Sequence, residues 1–471
     1  MRRGLSFPGL LVALLFGVVA VAACLMPAQS DTFWHLRAGQ EIWQTLRVPL
    51  DEHYSFTAAG RPWPNHEWLW QAVSYGLYRA GGMPLLTIGS AAIVVAAFAI
   101  VYRLSVGATT TRFVLMLLAL PLASSVLALR PQIVSLLLLA VLVKLLAHER
   151  YRWLPPLFVL WANVHGAVAL GGLVLVAGAA AALLRARRGA TADRRRAITL
   201  AVLIPVCAAA TVLTPMGFGL WRFIGESMAR SRQNRIDEWQ PAYPTAPLEI
   251  VFWVLAAAFL VLLWRRGRRL ATASWADQVI VAVAIAILPL AFRAVRNVSP
   301  FALVALPAAA RLLGPDFRLR AKTDAPPSPD HPRVNAGILA LFVLLGIGGV
   351  LAAWATSLPR LGWRPVSAGA LAAARTCPGP MFNRYNDGGF LIWFVPERRV
   401  FIDSRQDPYP TPFLLEALRV EGGEEPPQEL FARWGIRCAF VPVESPPHRQ
   451  LRDARWRPLH VDGKWAVLTV P

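Results

Sequence analysis

Long apolar runs separated by short basic connectors fill the first three quarters of the chain, at roughly 8–26, 83–102, 113–129, 131–147, 154–164, 166–184, 197–214, 248–264, 276–292, 298–313 and 335–357. A helix needs about 20 apolar residues to cross a bilayer core, so this pattern predicts a bundle of membrane helices. The run at 154–164 is too short to cross alone. Taken with 166–184 it must leave and return, because basic residues stand at both ends, in "RYRW" and "RARRGATADRRR". A broken hairpin is predicted there, with "WANVHG" at its turn. Past residue 357 the pattern changes to short alternating stretches. "RRVFIDSR", "RCAFVPV" and "KWAVLTV" read as strands, and "TPFLLEALRV" and "PPQELFARWG" as helices, so a small α/β layer is expected. The expected fold class is thus an α-helical polytopic membrane protein with about 11 transmembrane segments and a C-terminal small α/β soluble domain. The expected domains are 1–357, with a first outer loop at 27–82, and 358–471.

Composition agrees with the pattern. The chain is 56% hydrophobic and 16% charged, too apolar for a soluble protein of 471 residues. Its formal charge of +21 does not point to nucleic acid, because the basic residues alternate with apolar spans instead of forming one patch. Counted across alternating spans, 22 of the 48 basic residues fall on one side, and that side is expected to be the cytoplasm. The N-terminus is then cytoplasmic and the tail extracytoplasmic, in a cytoplasmic (inner) membrane. "VAAC" near the start has the look of a lipoprotein cleavage box, but the apolar run before it is long enough to span, so an uncleaved first helix is expected. The Pro-rich "KTDAPPSPDHP" at 322–332 reads as a cytoplasmic linker. The tail holds 15 basic and 12 acidic residues, so the positive excess belongs mostly to topology. In the tail, Cys377 and Cys438 stand either as two buried thiols or as a disulfide if this part faces an oxidising compartment.

Every unusual polar cluster lands on the outer side. The loop after the first span packs Asp31, His35, Asp51, Glu52, His53, His66 and Glu67 among several Trp residues. Interfacial Trp suits an aromatic belt, but a belt needs no carboxylates. Helical spacing in "DTFWHLRAGQEIW" sets Asp31 and His35 on one face beside Trp34. Asp31 reads as a catalytic or ligand-binding acid, or as a plain helix N-cap together with Ser30. On the same side stand Arg130 in "ALRPQ", His165 in "NVHG", Arg235 in "NRIDEWQP", and Arg293 and Arg296 in "RAVRN". An Arg at the membrane surface either snorkels to headgroups or clamps a phosphate, whose oxygens match a guanidinium fork. His165 either meets a backbone carbonyl at its turn or takes a ligand. In the tail, "YNDGGFLIWFVPERRVFIDSRQDPY" supplies Asp387, Asp403, Arg405 and Asp407. Asp387 and its glycines form a turn, or these residues line an acceptor groove. No His/Cys pair has zinc spacing, and a divalent metal would need a phosphate to complete its shell among the loop acids.

Several of these stretches together resemble a known family. "DTFWHLRAG", "VPLDEHYSFTAAGRPWPNHEWL", "LRPQ", "WANVHG", "FNRYNDGGFLIW" and "VFIDSR" are similar to those of bacterial polytopic proteins grouped with the C-type (GT-C) glycosyltransferases. These include the protein mannosyltransferases and the aminoarabinose and arabinosyl transferases. The resemblance implies a GT-C fold and an inverting transfer of one sugar from a polyprenyl-phosphate-linked donor, at the membrane, to an acceptor glycan, lipid or protein. It assigns the general base to the first outer loop, where Asp31 matches. Arg130, Arg293 and Arg296 would hold the phosphate, and His35, Asp51, Glu67 and His165 would orient donor or acceptor. Family members often carry paired acids directly after the first span, whereas "SDTFW" has one, with Asp51 as the candidate companion or alternative base. Two other classes fit the composition: a transporter or flippase of lipid-linked sugars, and a non-catalytic scaffold for cell-surface polysaccharide assembly. A transporter calls for polar residues at mid-membrane depth and opposed broken helices. Apart from the break in 154–184, the spans offer few.

Overall fold

The computed structural model describes residues 4–124, 127–188, 191–233, 236–317, 330–356 and 358–471. Arg235 and linker residues 322–329 lie outside them. The chain separates into two compact units, one of Met1–Met26, Thr87–Gly217 and Arg235–Ala353, the other of Pro27–Leu86, Phe218–Asn234 and Trp354–Pro471.

In the first unit each predicted apolar run is helical. Among the described residues six helices are long and apolar enough to cross a membrane: Phe7–Cys24, Trp68–Leu104, Val168–Ala186, Pro247–Ala271 (its last turn 3-10), Trp275–Arg293 and Pro332–Thr356. Thr109–Ser124 and Gln132–Ala147 are shorter apolar helices. The predicted broken hairpin is present: helix Leu154–Val164 ends where His165 turns to extended backbone (φ −166°, ψ 141°), and Val168–Ala186 follows. An 11-residue helix rises only about 17 Å, half a bilayer core, so the first arm cannot cross alone. Trp68–Leu104 is longer than its apolar run, because the amphipathic stretch before it joins on through a kink at Gly81–Gly82. Gly82 holds φ +63°, which a side chain would resist.

The second unit joins the first outer loop to the tail. Its sheet has the order β1-β2-β4-β3, with β1 Met381–Asn383, β2 Cys438–Pro442, β3 Arg457–Val461 and β4 Trp465–Thr469. β1 runs parallel to β2, while β2 and β3 both pair antiparallel with β4. The helices Thr411–Gly422 and Gln428–Trp434 form as their patterns predict. Cys377 and Cys438 form a disulfide. The core draws Trp34, Ala38, Tyr54 and Trp63 from the loop together with Leu391, Val395, Val400, Phe440 and Trp465 from the tail.

"RRVFIDSR" departs from expectation. It is no sheet strand but a buried extended segment with one parallel bridge, Ser55 to Val400. Side chains supply much of its other pairing: Asn383 Oδ1 accepts from the Phe401 amide (2.9 Å), its Nδ2 donates to the Ile402 carbonyl (2.7 Å), and the Thr57 hydroxyl donates to the Phe401 carbonyl (2.5 Å). The buried peptide groups are thereby satisfied without a ladder.

Asp387 of the "DGG" triplet closes a 3-10 turn, Tyr385–Asp387, and its two glycines open helix Gly388–Phe394. Its glycines permit close approach. A Cβ on Gly388 would meet the Ile402 carbonyl at 2.1 Å, and one on Gly389 the Ser30 carbonyl at 2.2 Å. The Gly389 amide donates to Ser30 Oγ at 3.0 Å. Gly389→Ala is therefore expected to lower stability by about 1–3 kcal/mol, as overpacking does. Gly463→Ala, with nothing within 4 Å, should be neutral. Thermal melts of both variants in detergent check this, and equal melting points would refute the close approach.

Candidate active site

The first outer loop and the tail build one polar cluster in the second unit. Helix Ser30–Thr45 is capped by Gln29, whose amide donates to Thr32 Oγ1 (3.0 Å). Asp31 consequently sits in the first turn, not at the N-cap position that is one reading of its sequence context. Its Oδ1 accepts hydrogen bonds from the Trp34 indole (3.2 Å) and from the Ser404 hydroxyl. One turn later His35 is buried, its ring tilted by 39° against Trp34 with 3.6 Å between ring centroids. Its Nε2 lies 3.7 Å from one Glu67 oxygen, and His66 Nε2 lies 3.6 Å from the other, so two imidazoles bracket one carboxylate. Asp407 interacts with this group: burial pushes its carboxyl up to about 7, with His66 and Arg230 opposing and Glu67 adding to the rise. Asp31, His35 and Glu67 thus belong to the loop that the pattern singled out, while Asp51 is solvent-exposed and bridges Pro62 through its backbone.

The tail candidates lie inside the protein. Asp403 and Arg405 are fully or nearly fully buried and form a two-point ion pair (2.8 and 2.6 Å). Arg405 also meets buried Glu52 at 2.6 Å, and its guanidinium packs against the rings of both Tyr54 (4.8 Å) and Trp63 (4.6 Å). Tyr409 donates to Asp403 (2.7 Å), and the Ser55 amide to Glu52 (2.6 Å). Burial alone would raise the Asp403 carboxyl; Arg405 and Tyr409 turn the shift downward. Asp387, 3% exposed, pairs with Arg384 at 2.8 Å, yet burial still holds its carboxyl above the usual range. These charges brace the segment that carries Ser404 and do not reach a surface groove.

In the first unit two of the three clamp candidates converge. Arg130 Nη2 lies 3.3 Å from one Glu238 oxygen and Arg296 Nη1 lies 3.2 Å from the other. Arg296 also covers the Trp239 ring at 4.2 Å. Burial would raise the Glu238 carboxyl, but the two arginines hold it below the usual range. Arg293, at the end of its helix, is exposed and apart from this trio's ion pairs. His165 is buried at the hairpin turn, its Nδ1 2.8 Å from Ser135 Oγ, which also accepts from the Trp161 indole (2.9 Å). Glu238 and Ser404 escaped the sequence reading, although both lie inside motifs it quoted, "IDEWQP" and "FIDSR". Among the described residues no group of three or more His, Cys, Asp or Glu could hold a metal ion.

Many apolar helices, a small C-terminal sheet and an acid-bearing loop after the first helix define a polytopic membrane protein. Two solved structures of the oligosaccharyltransferase of Archaeoglobus fulgidus share this fold. One, tethered to an acceptor peptide containing the NVT sequon, has a TM-score of 0.51 and 11% identity over 92% of this chain and 69% of its own. The other, AglB in complex with an inhibitory peptide and a dolichol-phosphate, has the same TM-score and coverage at 12% identity. No protein-family model and no curated protein matches the sequence.

Proposed function

We propose that this chain is an inverting membrane glycosyltransferase that moves one sugar from a polyprenyl-phosphate-linked donor to an acceptor on the outer face of the cytoplasmic membrane. The observation that carries the reading is Asp31: an acid in the first outer loop of a GT-C fold, held by Trp34 and Ser404. Inverting transfer needs a base for the acceptor hydroxyl as it attacks the sugar carbon, and cations for the departing phosphate. Asp31 takes the proton. Arg130 and Arg296, already gathered on one carboxylate, take the phosphate, which offers them more charge and more oxygens than Glu238 does. His35 and Glu67 orient the reactants. Asp51 and Arg293 are exposed and have smaller parts in this scheme. An archaeal enzyme of the same fold that binds a dolichol-phosphate supports a lipid-phosphate donor. The tail disulfide and the one-sided basic residues support an outer location for the acceptor site.

The test is turnover in proteoliposomes supplied with radiolabelled polyprenyl-phosphate mannose, arabinose and aminoarabinose. Transfer from at least one to a supplied acceptor, or its slow hydrolysis by water, is expected; inertness toward all three, with the donors themselves carried across the bilayer, would replace the enzyme by a flippase. Within the same assay Arg130→Gln and Arg296→Gln should each raise the donor KM about tenfold or more, the loss of one charge-assisted contact. An unchanged donor KM in both would remove the clamp.

A further inference from the structure

We infer that Ser404, in the tail, is a positioning residue for the base of the first outer loop. This rests on Asp31 being that base. Its hydroxyl donates to Asp31 Oδ1 across a sequence separation of 373 residues. That carboxylate oxygen also receives the Trp34 indole, from the next turn of its own helix. Two donors on one oxygen fix the rotation of the carboxyl group, where a single contact would leave it free to swing.

The backbone around Ser404 is built to hold still. On either side of it the Asp403–Arg405 pair locks into Glu52, Tyr54 and Trp63. The Ser404 carbonyl accepts from the Tyr385 hydroxyl at 2.8 Å. Upstream, Asn383 holds Phe401 and Ile402. On the far side of the contact, Gly389 binds Ser30, the residue before Asp31. Both partners of the hydrogen bond are thus anchored to the same buried frame. A serine that served only the fold would not need its hydroxyl aimed at a half-buried carboxylate, since its carbonyl is already met by Tyr385.

Ser404→Ala removes the hydroxyl and leaves those backbone anchors in place. In proteoliposomes with radiolabelled polyprenyl-phosphate mannose, arabinose and aminoarabinose, its kcat should fall about tenfold, as for loss of one hydrogen bond to a charged group, with donor KM and melting temperature near wild type. Ser404→Thr, which keeps the hydroxyl, should recover most of the rate. Asp31→Asn is run alongside. A dead Asp31→Asn with a fully active Ser404→Ala would overturn the positioning role alone. A fully active Asp31→Asn, or no wild-type turnover of any donor, would overturn the base assignment and this inference together. Threonine performing no better than alanine would also count against it, because the rate would then follow side-chain volume and not the hydroxyl.

Discussion

Asp31→Asn should abolish sugar transfer while leaving the protein folded. The amide keeps the size of the carboxylate and can still accept the Trp34 and Ser404 hydrogen bonds through its oxygen, so the helix start and the tail contact survive. What it cannot do is take a proton from an acceptor hydroxyl. General-base assistance contributes about 10²–10⁴-fold, and kcat should fall by that factor. Donor affinity should hold, because the groups proposed for the phosphate are Arg130 and Arg296. A radiolabelled transfer assay beside a donor-binding measurement separates the two, and a variant with wild-type kcat would end the assignment. Asp51→Asn serves as the comparison: an exposed acid should tolerate the change.

Arg405→Met is expected to bring the largest loss of stability. It deletes the cation that buried Asp403 and Glu52 share, leaving two enclosed carboxylates without it. Breaking a buried pair from one side costs about 3–5 kcal/mol, because the surviving charge keeps its desolvation penalty. The two aromatic faces beside Arg405 also lose their cation, although the methionine refills part of the space. Chemical denaturation of the purified protein in detergent measures the loss. The pH dependence has a definite sign. In the wild type the Asp403 carboxyl is held below its usual range, so its contribution is present above the unfolded value and fades as the pH falls through the folded one. Without Arg405, burial raises that carboxyl, and the gap between variant and wild type should narrow on acidification. Replacing all three members with neutral residues of similar volume should recover much of the stability; a triple variant as unstable as Arg405→Met would show that packing, not charge, dominates.

The membrane helices were legible because hydropathy is a local signal: each apolar run announces itself whatever surrounds it, and every one is helical in the structure. The His165 turn was equally readable, since basic residues at both ends of 154–184 leave the chain little choice. "VFIDSR" departs from a sheet strand: its apolar residues mimic a buried one, but much of its pairing comes from side chains that no periodicity marks, the Asn383 amide and the Thr57 hydroxyl. Asp403 and Arg405 looked available for an acceptor since polar residues in a tail are usually wet; their burial follows from Glu52, Tyr54 and Trp63, which lie some 350 positions earlier. Glu238 was passed over beside Arg235, although an acid between arginines was the stronger hint of a shared ion pair.

The reach of the Ser404 contact has a consequence for biogenesis. Asp31 is synthesised 373 residues before its hydroxyl partner. Until the segment around Arg405 has been made and has packed against Glu52, Tyr54 and Trp63, the early loop lacks its brace. A nascent or misinserted chain would accordingly hold an unbraced Asp31.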